Sequence, residues 1–215
     1  MPSDSTGTSG GLFGSEIIIH NESVDDSFKY SIFVSSPGYL NGTGALYRYD
    51  TEGSFMKILV GSNPGDKFGK SFGAPDFKDF LIIGAPGSDQ YGISSGIAFS
   101  YTLQNDDVVQ MNEIRPENAG AGLNFGYSIA VASNSSDFLI TAPGIDGDEV
   151  GAVYLFDSDG NAAMMAKNPT GNSNDQYGYH SSYNEEVAVV GAPMHTDENG
   201  VENGGRAYIV RSLGN

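Results

Sequence analysis

The sequence predicts an all-β fold, a β-propeller of four antiparallel blades whose last blade lacks its outer strand. Three observations lead there. Four glycines that each open an alternating strand, Gly44, Gly96, Gly151 and Gly205, stand 52, 55 and 54 residues apart. Helical periodicity never persists beyond two turns, and Gly, Pro, Asn and Asp clusters interrupt the chain every ten residues or so, as short antiparallel strands require. A repeat of about 40–50 residues with four strands per unit selects a propeller over a sandwich or barrel.

The elements follow in order within each unit. The first strand comes after a Phe-Gly or Tyr-Gly pair and reads IIIH, SFGA, SIAVA and HSSY; its small residues suit the crowded centre of a ring. The second strand (IFVSS, FLIIG, FLITA, VAVVG) is apolar on both faces, as expected between two neighbouring sheets. Pro37, Pro86, Pro143 and Pro193 end it by removing a ladder donor. The third strand alternates (GALYRY, GIAFSY, GAVYLF, GRAYIV), and DTEG at Asp50–Gly53 and DSDG at Asp157–Gly160 supply hairpin turns to the fourth. The fourth reads FMKILV, VVQMNEI and AAMMAK, and no counterpart follows GRAYIV. Residues 1–11 read as a flexible polar arm and residues 12–215 as one propeller domain of four repeats, about 12–60, 61–115, 116–167 and 168–215. The missing outer strand leaves an edge that the arm or a partner chain could fill. A closed four-blade monomer and a larger assembly both stand as expectations.

Composition narrows the function. With 27 acidic and 10 basic residues in 215, the net charge is −17, which argues against nucleic acid and against anionic membranes. It suits divalent cations or a basic partner surface. No apolar run approaches the roughly 20 residues of a spanning helix. The chain has no Cys, so disulfides and thiolate chemistry are absent. The first eleven residues have neither a basic start nor an apolar stretch and read as no secretory signal.

The stretches FGKSFGAPDFKDFLIIGAP (Phe68–Pro86), FGYSIAVASNSSDFLITAP (Phe125–Pro143) and YGYHSSYNEEVAVVGAP (Tyr177–Pro193), with a diverged copy from Phe13 to Pro37, resemble the FG-GAP repeat of integrin alpha-subunit heads and related propellers. The resemblance covers residues 13–211. It implies a propeller used in extracellular recognition and adhesion, commonly with calcium in its hairpin loops. Family propellers usually close with seven blades, and this chain holds four. The family's calcium loop, an acidic DxDxDG-like run between strands one and two, is reduced here to DFKD (Asp76–Asp79), SNSSD (Ser133–Asp137) and NEE (Asn184–Glu186), with only Asp137 where the last ligand would stand. The sequence therefore predicts no obligatory cofactor, with calcium as an open option.

Other chemistry is sparse. GIDGDEVG offers Asp146, Asp148 and Glu149 as a candidate metal-ligating set, although it fits no EF-hand. His20, His180 and His195 have no HxH or HExxH spacing, and no nucleophile elbow or phosphate loop opens a helix. An enzyme is not expected. Loops between strands two and three share a rim with those joining one unit to the next, and both sets are longer than the opposite turns. Long loops on a rigid scaffold are where recognition concentrates. The ligand-binding candidates there are Tyr39, Asp89, Gln90, Tyr91, Asp146, Asp148, Glu149, His195 and Asp197. Tyr beside Asp or Asn suits protein or carbohydrate contact, since its ring gives a flat apolar face with a polar tip. Sequons at Asn21, Asn41 and Asn134 matter only in a glycosylating source.

The reading is a non-enzymatic extracellular recognition module that binds a protein or glycan through one rim, without nucleic acid or membrane insertion. The alternative is a structural component of a viral particle or surface appendage, self-associating or docking through its free blade edge and its arm.

Overall fold

The computed structural model describes residues 10–24, 27–75, 79–104, 107–132, 137–147, 149–157 and 159–211. Four antiparallel sheets stand in a propeller ring. Blade one is β1 (Ile17–Val24), β2 (Ser27–Ser36), β3 (Ala45–Tyr49) and β4 (Phe55–Val60). Blade two is β5 (Phe72–Gly73), β6 (Phe80–Ala85), β7 (Ile97–Gln104) and β8 (Asp107–Ile114). Blade three is β9 (Ile129–Val131), β10 (Phe138–Ala142), β11 (Ala152–Phe156) and β12 (Ala162–Lys167). Blade four has three strands, β13 (His180–Tyr183), β14 (Val187–Ala192) and β15 (Arg206–Arg211). The all-β class, the four blades and the short last blade match the sequence expectation. The arm expected at residues 1–11 lies outside the described residues except for Gly10 and Gly11.

Burial explains why second strands are apolar on both faces. In β10, Leu139 turns toward blade four, where, with Val153 and Leu155 of its own blade, it packs on Ala188 and Val190. Its neighbours Phe138 and Ile140 turn the other way and pack with Ile82, Ala98 and Ile114 of blade two. Blades one and two meet in the same manner, with Phe33 and Leu46 against Phe72, Leu81 and Ile83. A buried ion pair interrupts this layer. Arg48 is buried and donates to both carboxylate oxygens of buried Glu22, at 2.6 and 2.8 Å, and from Nε to Ser31 Oγ at 2.8 Å. The buried charge is tolerated because it meets the opposite charge of Glu22 and a further acceptor in Ser31.

The aromatic-glycine pairs are the joints between blades. The residue before each aromatic adopts a left-handed conformation (Leu12 φ 58°, Lys67 57°, Asn124 55°, Gln176 54°) and the glycine after it does too (Gly14 86°, Gly69 78°, Gly126 90°, Gly178 99°). Each such turn is pinned to its own blade by two backbone bonds. The glycine N–H donates to a carbonyl of the second strand: Gly14 to Ser35, Gly69 to Gly84, Gly126 to Thr141 and Gly178 to Gly191, at 2.8–3.0 Å. The carbonyl two residues before the aromatic accepts from the residue after the strand-ending proline: Gly11 from Gly38, Asp66 from Gly87, Leu123 from Gly144 and Asp175 from Met194. The aromatic itself reaches the preceding blade, where Phe68 N–H donates to Thr43 and Phe125 N–H to Ser95. At these contacts only glycine fits. A Cβ on Gly44, Gly96 or Gly151 would overlap the carbonyl oxygen of Phe68, Phe125 or Tyr177. The hairpins behave as expected, with Gly53 and Gly160 in positive φ and the carboxylates of Asp50 and Asp157 accepting from Ser54 and Asn161 N–H.

Candidate functional site

The joints bring the two sets of long loops onto one rim, and buried polar side chains lock them. Asp175, fully buried, is the principal lock. Its carboxylate accepts from Thr170 Oγ1 (2.8 Å), Asn172 Nδ2 (2.8 Å) and Asn168 Nδ2 (3.1 Å), and pairs with His195 Nδ1 (2.8 Å). Burial raises its pKa, but the bonds from His195, Thr170 and Asn168 outweigh that and hold it below the usual carboxylate range. Asn124 does the same at the third blade, donating to Asp146 Oδ2 (2.7 Å) while its own carbonyl accepts from Asp146 N–H (3.0 Å).

The candidate residues other than Tyr39 fall into three groups. Asp89, Gln90 and Tyr91 sit together: Asp89 accepts from Ser94 N–H at 2.8 Å, and Gln90 Nε2 reaches Glu113 (3.1 Å) and the Tyr91 hydroxyl (3.2 Å). Arg115 lies over the Tyr91 ring, 4.6 Å from its centroid. Beside them a cleft of about 120 Å³ opens between blades one and two. Asn63, Asp66, Ser88, Gln90, Gln110 and Glu113 supply its polar walls, with Phe99 and Tyr101 among its aromatic ones. Tyr101's hydroxyl is pushed up to about 12 by burial. Tyr39 stands apart, half-buried edge-on against Tyr47, at the start of a short turn through Gly42 in which Leu40 and Asn41 are left-handed.

Asp146 and Glu149 are exposed on the third-blade loop, and Asp148 lies outside the described residues. Among the described residues no group of three His, Asp or Glu is placed to hold a metal ion. The Asp146 carboxylate is already committed to Asn124. Of the loops matching the family's calcium positions, residues 76–78 and 133–136 lie outside the described residues. His195 is buried on Asp175, and Asp197 accepts from Val201 and Asn199 N–H in a local turn, which lowers its pKa. Both are engaged in shaping the rim.

One site escaped the sequence reading. The two residues after each aromatic-glycine pair (Ser15 and Glu16, Lys70 and Ser71, Tyr127 and Ser128, Tyr179 and His180) converge on a chamber of about 220 Å³ at the axis. Tyr127 and Tyr179 meet with ring centroids 5.0 Å apart, and the Lys70 ammonium sits 4.9 Å from the Tyr127 centroid. Glu16 accepts from Phe72 N–H at 3.3 Å. Burial pushes its carboxyl from 4.5 to about 7, against the lowering effect of that bond and of Lys70. The signal was present as a fixed offset from each pair, but no one residue type holds either position through all four repeats.

Comparison with known proteins adds the following. No curated protein matches the chain. A chain titled "Crystal structure of the eukaryotic initiation factor" aligns over 82% of this one and 48% of its own length, at 11% identity and a TM-score of 0.33, too low to support inference. This chain therefore spans about half the length of that solved chain. No helix among the described residues is long and apolar enough to cross a membrane. Residues 168–210 match the FG-GAP repeat. They form the fourth blade, and the protein is a four-bladed β-propeller whose joints repeat that motif's aromatic-glycine turn.

Proposed function

We propose that the protein is a non-enzymatic recognition module that works outside the cytoplasm, on a cell or particle surface, and binds a glycan or a glycan-bearing protein at the rim. The observation carrying this is the cleft between blades one and two, where amides, hydroxyls and carboxylates from Asn63, Ser88, Gln90, Gln110 and Glu113 surround aromatic rings. Such groups pair with the alternating donors and acceptors of sugar hydroxyls, and ring faces cover the apolar side of a sugar. Tyr91, backed by Arg115, extends that surface outward. The charge of −17 keeps nucleic acid away from it.

The test is binding to a panel of immobilised oligosaccharides and glycoproteins, repeated with Gln90→Ala, Tyr91→Ala and Glu113→Ala. Loss of one or two hydrogen bonds and a ring contact lowers affinity at least tenfold, about 1.4 kcal/mol. Binding unchanged in all three variants defeats the proposal.

A further inference from the structure

The axial chamber holds more hydrogen-bonding capacity than the fold consumes. Its walls are fixed by the deeper serines: Ser71 Oγ donates to the Gly126 carbonyl at 2.9 Å, and Ser128 Oγ meets Ser181 Oγ at 3.2 Å. Glu16 ties blade one to blade two, accepting from Phe72 N–H while its own N–H donates to Ser35 Oγ at 2.9 Å. The other polar groups are uncommitted. Among the described residues, Lys70 Nζ, Ser15 Oγ and the His180 ring have no hydrogen-bond or ion-pair partner, and Lys70 rests on the face of Tyr127.

These groups decide which charge the chamber accepts. Lys70 and His180 face a single acid, Glu16, in a chain where acids outnumber bases 27 to 10. Burial pushes that acid up to about 7, so below this pH it is a neutral donor. Burial, and then the Tyr179 hydroxyl, push the Tyr127 phenol up, so it too keeps its proton. A cation would find the Tyr127 face already taken by an ammonium. An anion finds that ammonium together with a set of donors, the arrangement that makes charge-assisted bonds. At about 220 Å³ the chamber lies below the roughly 300–1,000 Å³ of drug-sized pockets, so it suits a small molecule. Ser15, Tyr179 and His180 are exposed among the described residues and mark its mouth.

We infer that the chamber binds a small hydroxycarboxylate, its carboxylate on Lys70 and His180 and its hydroxyls on Ser15 and the two tyrosines. A free hydroxy acid and an acidic sugar at the end of a glycan share this chemistry. The chamber has no lining residue in common with the rim cleft, so the inference does not rest on the rim reading, and Gln90→Ala leaves it unchanged.

The test is calorimetric titration at about pH 6, below the folded Glu16 value, with glucuronate, with glucose and with an oligosaccharide ending in glucuronic acid. Glucuronate binds, and glucose binds at least about tenfold more weakly because it lacks the charge. Binding of the oligosaccharide as well identifies a glycan end as the source; binding of the free acid alone identifies a free hydroxy acid. Lys70→Met weakens glucuronate at least about tenfold, whereas Lys70→Arg keeps the charge and most of the affinity, which separates a lost contact from a lost fold. At about pH 8 Glu16 is ionised beside the ligand, so Glu16→Gln binds glucuronate more tightly than the unmodified protein. Lys70, Tyr127, Tyr179 and His180 face Glu16 in both proteins, so that difference is its own. Absence of saturable binding by either acid, equal affinity for glucose and glucuronate, unchanged affinity in Lys70→Met, or weaker binding by Glu16→Gln at the higher pH each overturns the inference.

Discussion

Replacing Gly96 with Ala tests the joint directly, with Gly53→Ala as its reference. Both glycines have positive φ, 73° and 81°, so each substitution forces a Cβ into a left-handed backbone at about 1–2 kcal/mol. They differ in what the new methyl meets. At Gly53, in the β3–β4 hairpin, nothing lies within 4 Å. At Gly96 the methyl overlaps the backbone oxygen and nitrogen of Phe125, so the third blade must back away and weaken the Phe125 N–H bond to Ser95, 3.0 Å long. Overpacking of this kind costs about 1–3 kcal/mol, and the weakened bond about 1 more. Gly96→Ala should therefore fall below Gly53→Ala by about 2–4 kcal/mol. For a chain of this size that is about 4–16 °C in Tm, measured by calorimetry or circular dichroism under one buffer. Equal melting temperatures for the two variants would refute the claim that blades are joined by close backbone approach at the glycine.

Two further outcomes follow from the charged groups. Asp175→Ala removes the acceptor shared by Thr170, Asn168, Asn172 and His195 and costs about 3–5 kcal/mol in denaturant titration, while Asp175→Asn, which keeps the shape, loses less. Because the Asp175 pKa is lowered by folding, its contribution is present above the ordinary carboxylate range and disappears as pH falls through the folded value, so the alanine variant shows a flatter acid limb. Glu16 has the opposite sign. Its folded pKa of about 7 exceeds the ordinary 4.5, so the native state holds the proton more tightly and stability declines as pH rises from about 4.5 to 7. Glu16→Gln removes that decline, and a variant whose melting profile still falls over this range would show that Glu16 is not its source.

Much of the architecture was legible because one offset repeats. The pairs at Phe68, Phe125 and Tyr177 locate first strands, and the prolines at 86, 143 and 193 locate the ends of second strands; backbone geometry demands those residue types wherever they occur. The functional surfaces were less legible for a related reason. Glu16, Ser71, Ser128 and His180 occupy one structural position with three chemistries, so no motif marks the axial chamber. His195 read as an exposed loop histidine because its partner, Asp175, lies twenty residues away and meets it only once the rim is folded.

Blade-to-blade contact runs between successive units, which makes the molecule a short stack with nearest-neighbour coupling. Among the described residues, blades two and three pack against a neighbouring blade on both sides, whereas blades one and four each pack against one. Cooperativity in such a stack weakens toward its ends. The outermost sheets therefore open first, and the rim cleft, with one wall on blade one and the other on blade two, straddles the boundary between a fraying unit and a firm one. Anything that grips both walls couples its own binding to the ordering of the first blade, and stabilises the protein from that end inward.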